Sequence, residues 1–254
     1  MKILNSDNYI NEKLTIQPVT KDRLSDYKKK FVDEITRKFI EENNLIWNPL
    51  SKSYDCEGAV NVSKDIITDG KLKIRFGKVD WHFNCSDNKL TTLEGAPQEV
   101  GGDFDCDNNN LTTLDGAPNK VGGSFHCSNN DLTTLEGSPK KVSGNFDCNR
   151  NNLTTLEGAP NEVGGYFNCD NNKLTTLEGA PKEVGKKFSC IGNNLTNLEG
   201  APREVSGSFY CNNNKLTTLE GAPNKVGGDF YCINNPNLIL SDDKPNWVKG
   251  KIMN

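Results

Sequence analysis

Phenylalanine and cysteine alternate with polar residues in short segments that recur at a constant spacing along most of the chain. Eight cysteines, from Cys85 to Cys232, lie 21 residues apart, and a phenylalanine stands two residues before each of them. Alternation of apolar and polar residues with a period of two is typical of a strand with one buried face. A fixed period of this length indicates a repeat architecture, in which each unit packs on its neighbours. The pattern therefore predicts a stack of short strands whose Phe and Cys side chains point inward.

An asparagine stands three residues after each of these eight cysteines, and a leucine stands five residues after seven of them. The chain must turn after each strand, so we expect the asparagine amides to satisfy backbone groups of their own and of the adjacent coil. The leucines fill the interior, and Gly-Ala-Pro ends most units and stops a helix from growing. The predicted asparagine ladder consists of Asn88, Asn109, Asn130, Asn151, Asn172, Asn193, Asn214 and Asn235.

The segment Phe-x-Cys-x-x-Asn-x-Leu resembles the leucine-rich-repeat segment L-x-L-x-x-N-x-L, with Phe and Cys at its first two leucine positions. The short period and the wording N-N-x-L-T-T-L-E-G-A-P resemble the bacterial and bacteriophage members of that family, over roughly residues 79–240. The resemblance implies a leucine-rich-repeat solenoid with a curved parallel β-sheet on its concave face and an irregular or 3-10 convex side. Eight strands about 4.8 Å apart would span roughly 35 Å.

One departure from the family pattern is a valine four residues before each phenylalanine, with Gly-Gly or Ser-Gly between them in most units. Paired glycines permit backbone angles that other residues avoid, so a turn or bulge is expected there.

Both ends of the chain depart from the repeat, and we interpret them as caps, because an uncapped end coil would expose its apolar strip. The predicted organisation is an N-terminal helical cap over residues 1–53, a degenerate first repeat over 54–78, eight repeats over 79–240 and a C-terminal cap over 241–254. In the degenerate repeat, Asp65 takes the asparagine place and Ile67 the leucine place, which predicts a ninth strand.

An amphipathic α-helix is predicted over residues 21–43, with Thr20 as its N-cap. Its basic side, which includes Lys28–Lys30, is either a solvated face or a second contact surface. The apolar side chains that carry the helical spacing are Leu24, Tyr27, Phe31, Ile35 and Phe39.

Composition and charge narrow the classes of function. Only 34% of the 254 residues are apolar, and the net charge is −4. A negative net charge does not suit a nucleic-acid-binding protein, which usually carries a basic face. The start of the chain has no apolar run typical of a secretory signal, and no stretch is long enough to cross a bilayer. We therefore expect a cytoplasmic protein with reduced thiols, no membrane association and no nucleic-acid partner.

The chemistry-bearing residues do not form a recognisable active site. The cysteine column has none of the close pairs that hold zinc, and inward cysteines behave as small apolar residues; Cys56, outside the column, is free to be exposed. The only two histidines, His82 and His126, lie two coils apart, and no phosphate-binding or dinucleotide fingerprint is present. We expect no catalytic residues, no metal and no cofactor.

The copies differ from each other mainly at the outward strand positions beside Phe and Cys. This variation predicts that the concave strand face binds a partner, with carboxylates near the first coils and tyrosine and isoleucine near the last. Exposed aromatic and aliphatic residues are typical interface anchors, and carboxylates steer a basic partner. The predicted binding residues are Tyr166, Tyr210, Tyr231, Ile191, Ile233, Asp103, Asp105, Asp107, Asp147 and His126. The alternative is a solvated face with drifted residues.

These observations favour a non-enzymatic scaffold that binds a protein partner and acts as a monomer or weak homo-oligomer. The resemblance to phage-encoded repeat proteins implies a host defence or regulatory protein as the partner, and inhibition as the outcome. Two alternatives remain: a self-assembling virion-associated component, and a small-molecule or nucleotide sponge. The sponge would need a pocket between the N-terminal helix and the first coils, because an open strand face buries a ligand poorly.

Overall fold

The computed structural model describes residues 33–240 and 246–254, and it shows a solenoid of stacked coils that begins with one α-helix. Each coil contributes one short strand to each of two ten-stranded sheets. Within both sheets the neighbouring strands of successive coils are parallel, and in the repeats they pair in register, as Phe104 does with Phe125. The pairing of Tyr54 with Phe76 and of Cys56 with Val79 contains a register shift. No helix in the described part of the chain is long and apolar enough to cross a membrane.

The first sheet, here called the valine sheet, has eight strands that end in valine and a hairpin strand pair at its first edge. The hairpin strands, Ile46–Asn48 and Ser53–Cys56, are antiparallel to each other. The other eight strands are Phe76–Val79, Glu99–Val100, Lys120–Val121, Lys141–Val142, Glu162–Val163, Glu183–Val184, Glu204–Val205 and Lys225–Val226.

The second sheet, here called the phenylalanine sheet, has eight strands that begin with phenylalanine and one further strand at each edge. In chain order these are Val60–Asn61, Phe83–Asn84, Phe104–Asp105, Phe125–His126, Phe146–Asp147, Phe167–Asn168, Phe188–Ser189, Phe209–Tyr210, Phe230–Tyr231 and Ile252–Met253. A small antiparallel pair, Ile67–Thr68 with Lys71–Leu72, lies outside both sheets.

The expectation of a single sheet was wrong, because the valine before each glycine pair also lies on a strand. The chain bends at the glycine pair between the two strands of each coil, where a turn or bulge was expected. Stacked coils leave little room at this corner, because a Cβ added at Gly101 would clash with the carbonyl oxygen of Asp80. Some coils nevertheless carry a side chain at one of the two positions, as at Ser143 and Lys186. The remaining side of each repeat is irregular, and Gly116 in its Gly-Ala-Pro turn has a φ of +92°, which favours glycine.

The core is a continuous column of inward side chains. Phe83 to Phe230 are fully buried, and their rings stack coil on coil with centroids 5.1–5.7 Å apart and interplanar angles of 5–22°. Each aromatic pair contributes about 0.5–1.5 kcal/mol beyond its burial. The repeat cysteines and leucines lie beside this column, as predicted.

The asparagine ladder is confirmed. Asn130 donates from Nδ2 to the carbonyl oxygens of Cys106 (3.0 Å) and Cys127 (3.3 Å), one in the preceding coil and one in its own. Its Oδ1 accepts a hydrogen bond from the N–H of Leu111 at 3.0 Å. The residue before each ladder asparagine has a positive φ, as Asn129 does at +52°, and asparagine tolerates this conformation well. In the five repeats that have two adjacent asparagines here, the two residues therefore have different tasks.

The N-terminal helix is shorter than predicted. It spans Glu34–Glu42, called α1, and Asp33 caps it: the Asp33 carboxylate accepts the N–H of Thr36 at 2.8 Å. Asp33 itself is extended, so a continuous helix over residues 21–43 capped by Thr20 was wrong, and Thr20 to Phe31 lie outside the described residues. Phe39 packs edge-on against Phe76 as an apolar face requires, but Ile35 is exposed.

The degenerate repeat adds the ninth strand that was predicted, because Val60 pairs with Phe83. The assignment of Asp65 and Ile67 to the asparagine and leucine positions of the repeat was wrong. Asp65 lies exposed in a 3-10 helix, Lys64–Ile66, and Ile66 rather than Ile67 is fully buried.

The last residues also continue the solenoid. Val248 bridges to Val226 and the strand Ile252–Met253 pairs with Phe230–Tyr231, so the C-terminal cap contains part of a further coil. Its sequence signal was a valine four residues before an apolar residue, as in every repeat.

We expect Asn151→Ala to lower the free energy of unfolding by about 2–4 kcal/mol, because it removes the bonds of one buried amide and leaves their partners unsatisfied. Asn151 donates to the carbonyls of Cys127 and Cys148 and accepts from the N–H of Leu132. Urea denaturation followed by circular dichroism measures the change. The neighbouring Asn152→Ala is the matched control and should change stability by less than about 0.5 kcal/mol. Equal effects of the two substitutions would contradict the role assigned to the ladder.

Candidate functional site

The outward side of the phenylalanine sheet carries the residues that vary between copies, and strand pairing sets them in columns. The column between Phe and Cys consists of Asn84, Asp105, His126, Asp147, Asn168, Ser189, Tyr210 and Tyr231. All ten predicted binding residues lie on this side and are at least partly accessible. We call this surface the strand face.

The first half of the strand face is acidic. His126 lies between Asp105 and Asp147, its partners on the two adjacent strands. Burial, and the nearby charge of Asp105, raise the pKa of Asp107 to about 6, although the N–H of Ser128 donates to it. A carboxylate that loses solvent and gains like-charged neighbours resists ionisation.

The carboxylates of this half also have structural tasks, which the sequence did not reveal. Asp103 Oδ1 accepts the N–H of Ser124 in the next coil at 2.6 Å, and Asp105 Oδ1 accepts the N–H of Asp107 at 2.9 Å. Asp147 Oδ1 accepts hydrogen bonds from the Ser128 hydroxyl and from the Asn149 side chain. One oxygen of each group thus organises the scaffold. The second oxygen of Asp103 lies 3.3 Å from His82 Nδ1, and that of Asp147 accepts the Tyr166 hydroxyl.

The last coils of the strand face carry an aromatic pair. The rings of Tyr210 and Tyr231 are stacked, with centroids 4.5 Å apart and planes at 4°. The Tyr231 hydroxyl donates to Asp229 at 3.2 Å, which restrains the ring. Ile233 beside this pair is 40% exposed, whereas Ile191 is half-buried.

Tyr166 lies between the acidic half and the last coils of the strand face. It contacts one negatively charged and one positively charged side chain. Its hydroxyl donates to Asp147 Oδ2 at 3.4 Å, and the Lys187 ammonium lies 5.1 Å from its ring centroid. Asp170 accepts the Ser189 hydroxyl at 2.6 Å, and burial raises the pKa of its carboxyl. The face therefore already holds the Lys187 ammonium near a tyrosine ring whose hydroxyl contacts one carboxylate.

The structure brings the predicted residues together as two groups rather than one site. Asp105 and Tyr231 are six coils apart, or roughly 29 Å at the usual spacing between strands. Carboxylates also flank the tyrosine end, through Asp170 and Asp229. These two and Lys187 were absent from the predicted set, as was Met253, which pairs with Tyr231 and belongs to the last coil, predicted only as a cap.

The cysteine column lies in the core, as predicted, and Cys56 is buried too. Burial raises the pKa of the column thiols, to about 11 at Cys232 near the end of the stack. Each thiol donates to a backbone carbonyl of the next coil, as Cys148 does to Asn168 at 3.3 Å. Among the described residues no group of three or more His, Cys, Asp or Glu side chains is placed to hold a metal ion.

Two open cavities lie near the N-terminal end. One, of about 700 Å³, lies between the hairpin and the next coils and is bordered by Asp55, Arg75 and Lys78. The other, of about 490 Å³, lies between the end of α1 and residues 56–59.

A scan against protein-family models finds no match for this chain, and neither does a search of curated proteins or of solved structures.

We expect the native chain to be almost inert to thiol reagents. All nine cysteines are buried, and the thiolate is the reactive form. Titration with an aromatic disulfide at pH 8 should give less than about one fast-reacting thiol per chain, and all nine after denaturation. A fast stoichiometric reaction of the native protein would contradict this placement.

We expect Asp107→Asn to stabilise the protein above pH 6 and to have little effect near pH 4. The folded pKa of Asp107, about 6, lies above its ordinary value of 3.8, so ionisation opposes folding as pH rises through this interval. Partial solvent screening reduces the gain to the order of 1 kcal/mol. Urea denaturation at pH 4 and pH 7.5 measures it, with exposed Asp115→Asn as the control. A gain that is the same at both pH values would contradict the assignment.

Proposed function

We propose that this chain is a non-enzymatic scaffold that binds a protein partner through the strand face. The observation that carries the proposal is the stacked pair of Tyr210 and Tyr231, which remains partly accessible beside exposed Ile233. Tyrosine is enriched among the residues that dominate interface energies, since its large ring loses little rotational freedom on binding.

The rigidity of the face supports this proposal. Each strand is held by backbone bonds to both adjacent coils: the Cys211 N–H donates to the carbonyl of Tyr231 at 2.8 Å, and the Tyr210 carbonyl accepts the Cys190 N–H at 2.9 Å. A surface that is already ordered loses little conformational entropy when a partner binds. Variation between copies is thus confined to side chains on a fixed backbone.

The carboxylates support a partner with a basic patch. Asp105 and Asp107 crowd together at the acidic end, and burial disfavours the ionised form of Asp107. A cation from a partner would relieve this repulsion and favour one orientation over the reverse. Its contribution would fall with rising salt, whereas that of the tyrosine end would not.

In its specific form, the proposal follows the resemblance to short-repeat bacterial and phage leucine-rich-repeat proteins. The partner is then a host defence or regulatory protein, met in the cytoplasm and inhibited by binding. The chain acts as a monomer or weak homo-oligomer, with no nucleic acid, membrane or cofactor involved.

Replacement of both Tyr210 and Tyr231 by alanine should abolish partner capture while the chain stays folded, because both side chains point away from the core. The test is affinity capture of the tagged chain from its native host lysate, with the captured proteins identified by mass spectrometry. The matched control is Thr196→Ala with Thr217→Ala, on the exposed irregular side of the adjoining coils. Capture of the same partner by the tyrosine double variant would contradict the proposal.

A further inference from the structure

A second ladder of hydrogen bonds, here called the outer ladder, runs along the strand face at the residue before each phenylalanine. In most coils the side chain of this residue accepts the backbone N–H of its counterpart in the next coil. Asp103 Oδ1 accepts the N–H of Ser124 in this way at 2.6 Å, and Asp229 Oδ1 accepts that of Lys251 at 2.7 Å. The accepting side chains are His82, Asp103, Ser124, Asn145, Ser208 and Asp229.

A glycine makes room for each acceptor of the outer ladder. The accepting atom lies over the second residue of the corner pair in the next coil, so a Cβ added at Gly123 would clash with Asp103 Oδ1. All six acceptors lie over a glycine at this place: Gly102, Gly123, Gly144, Gly165, Gly228 and Gly250. A complete junction therefore needs an acceptor in one coil and a glycine in the next.

The outer ladder is broken at two successive junctions, where Tyr166 and Lys187 take the acceptor positions. An ammonium accepts no hydrogen bond, and the only acceptor of tyrosine lies at the far end of its ring. After Tyr166 the corner residue is Lys186, whose own side chain takes the place of the acceptor. After Lys187 it is Gly207, and the atoms nearest to a Cβ built there are backbone atoms only. The half-buried N–H of Ser208 therefore has no acceptor among the described residues.

Positive charge lies beside this open N–H. The Lys187 ammonium lies 5.1 Å from the centroid of the Tyr166 ring and has no ion pair within 4.0 Å among the described residues. The charge of Asp170 acts on Lys187, but Asp170 Oδ1 already accepts the Ser189 hydroxyl. A free N–H next to an uncompensated ammonium suits a carboxylate, which forms charge-assisted hydrogen bonds with both.

We infer that a carboxylate of the bound protein partner completes the outer ladder at this junction, where it accepts the N–H of Ser208 over Gly207 and pairs with the Lys187 ammonium. The inference rests on the proposed binding of a protein by the strand face, and it adds an Asp or Glu to the chemistry of that partner. Within the chain, Asp103 and Asp229 fill the equivalent place at two other junctions, so a carboxylate has the size that this place accepts.

The position of the junction gives the bound partner a direction. Ser208 directly precedes the strand that carries Tyr210, and Asp147 in the acidic half lies three coils away, or about 14 Å at the usual strand spacing. The partner would therefore place its basic patch and its carboxylate at a similar separation. The reverse orientation would bring like charges together at both places.

Amide NMR of the full chain tests the site without the partner. We expect the Ser208 N–H to exchange with solvent at least about ten-fold faster than that of Ser124, which is bonded to Asp103. Titration with sodium acetate, against sodium chloride at equal ionic strength, should give a saturable shift at the Ser208 amide and none at the Ser124 amide.

Two substitutions of Lys187 separate the effect of the acceptor from that of the charge. Lys187→Asn supplies the side-chain oxygen that Asn145 supplies to Tyr166, so exchange at Ser208 should slow to about the rate at Ser124 and the acetate shift should vanish. The matched control is Lys187→Met, which removes the charge without supplying an acceptor: exchange should stay fast and the acetate shift should weaken. Circular dichroism checks that both variants are folded.

The captured partner links the site to binding. Lys187→Asn should weaken its affinity by at least about ten-fold, because this change removes the cation and fills the place of the carboxylate. Slow exchange at Ser208 in the unsubstituted chain, an acetate response equal to that of chloride, or unchanged affinity of Lys187→Asn would each overturn the inference. The proposed function fails separately, when the variant that lacks Tyr210 and Tyr231 still captures the partner.

Discussion

The bonds of the ladder asparagines are the constraint on which the rest of the structure depends. Each coil is a single closed turn with too few apolar residues to fold alone, and its backbone leaves donors and acceptors exposed at the turn after the phenylalanine strand. One buried amide satisfies carbonyls of two coils and an N–H of a third residue, so each coil is completed only by its neighbour. The phenylalanine rings of successive coils then stack, because the distance between coils places them in contact.

A scaffold fixed in this way separates support from recognition. Inward positions and turn positions are constrained by close packing, as the corner glycines show, while outward strand positions are limited only by contact with the adjacent coil. Even there the constraint is not absent, because Asp103 and Asp107 bind backbone groups of the next coil with one carboxylate oxygen. The tyrosine pair has no comparable backbone task, and this is why it carries the functional argument.

Most of the periodic features could be predicted from the sequence, and most of the features that occur once could not. The strands, the buried cysteines and the asparagine ladder follow from a repeat that eight copies display. The valine strand was missed because one apolar residue before a glycine pair gives no alternation to read. Each feature at the ends occurs only once. The length of the helix that Asp33 caps was therefore overestimated, and the coil that contains Val248 and Ile252 was overlooked. Contacts between columns, such as that of the Tyr166 hydroxyl with Asp147, depend on side-chain direction and could not be predicted from spacing.

Hydroxyl-radical footprinting of the chain in complex with its natural partner tests the central claim most directly, because tyrosine, isoleucine and methionine side chains all report on solvent access. The account predicts that the complex protects Tyr210, Tyr231 and Ile233 and leaves the outward side of the valine sheet and the irregular side as reactive as in the free chain. Protection of either of those sides, with an unprotected tyrosine pair, would contradict it.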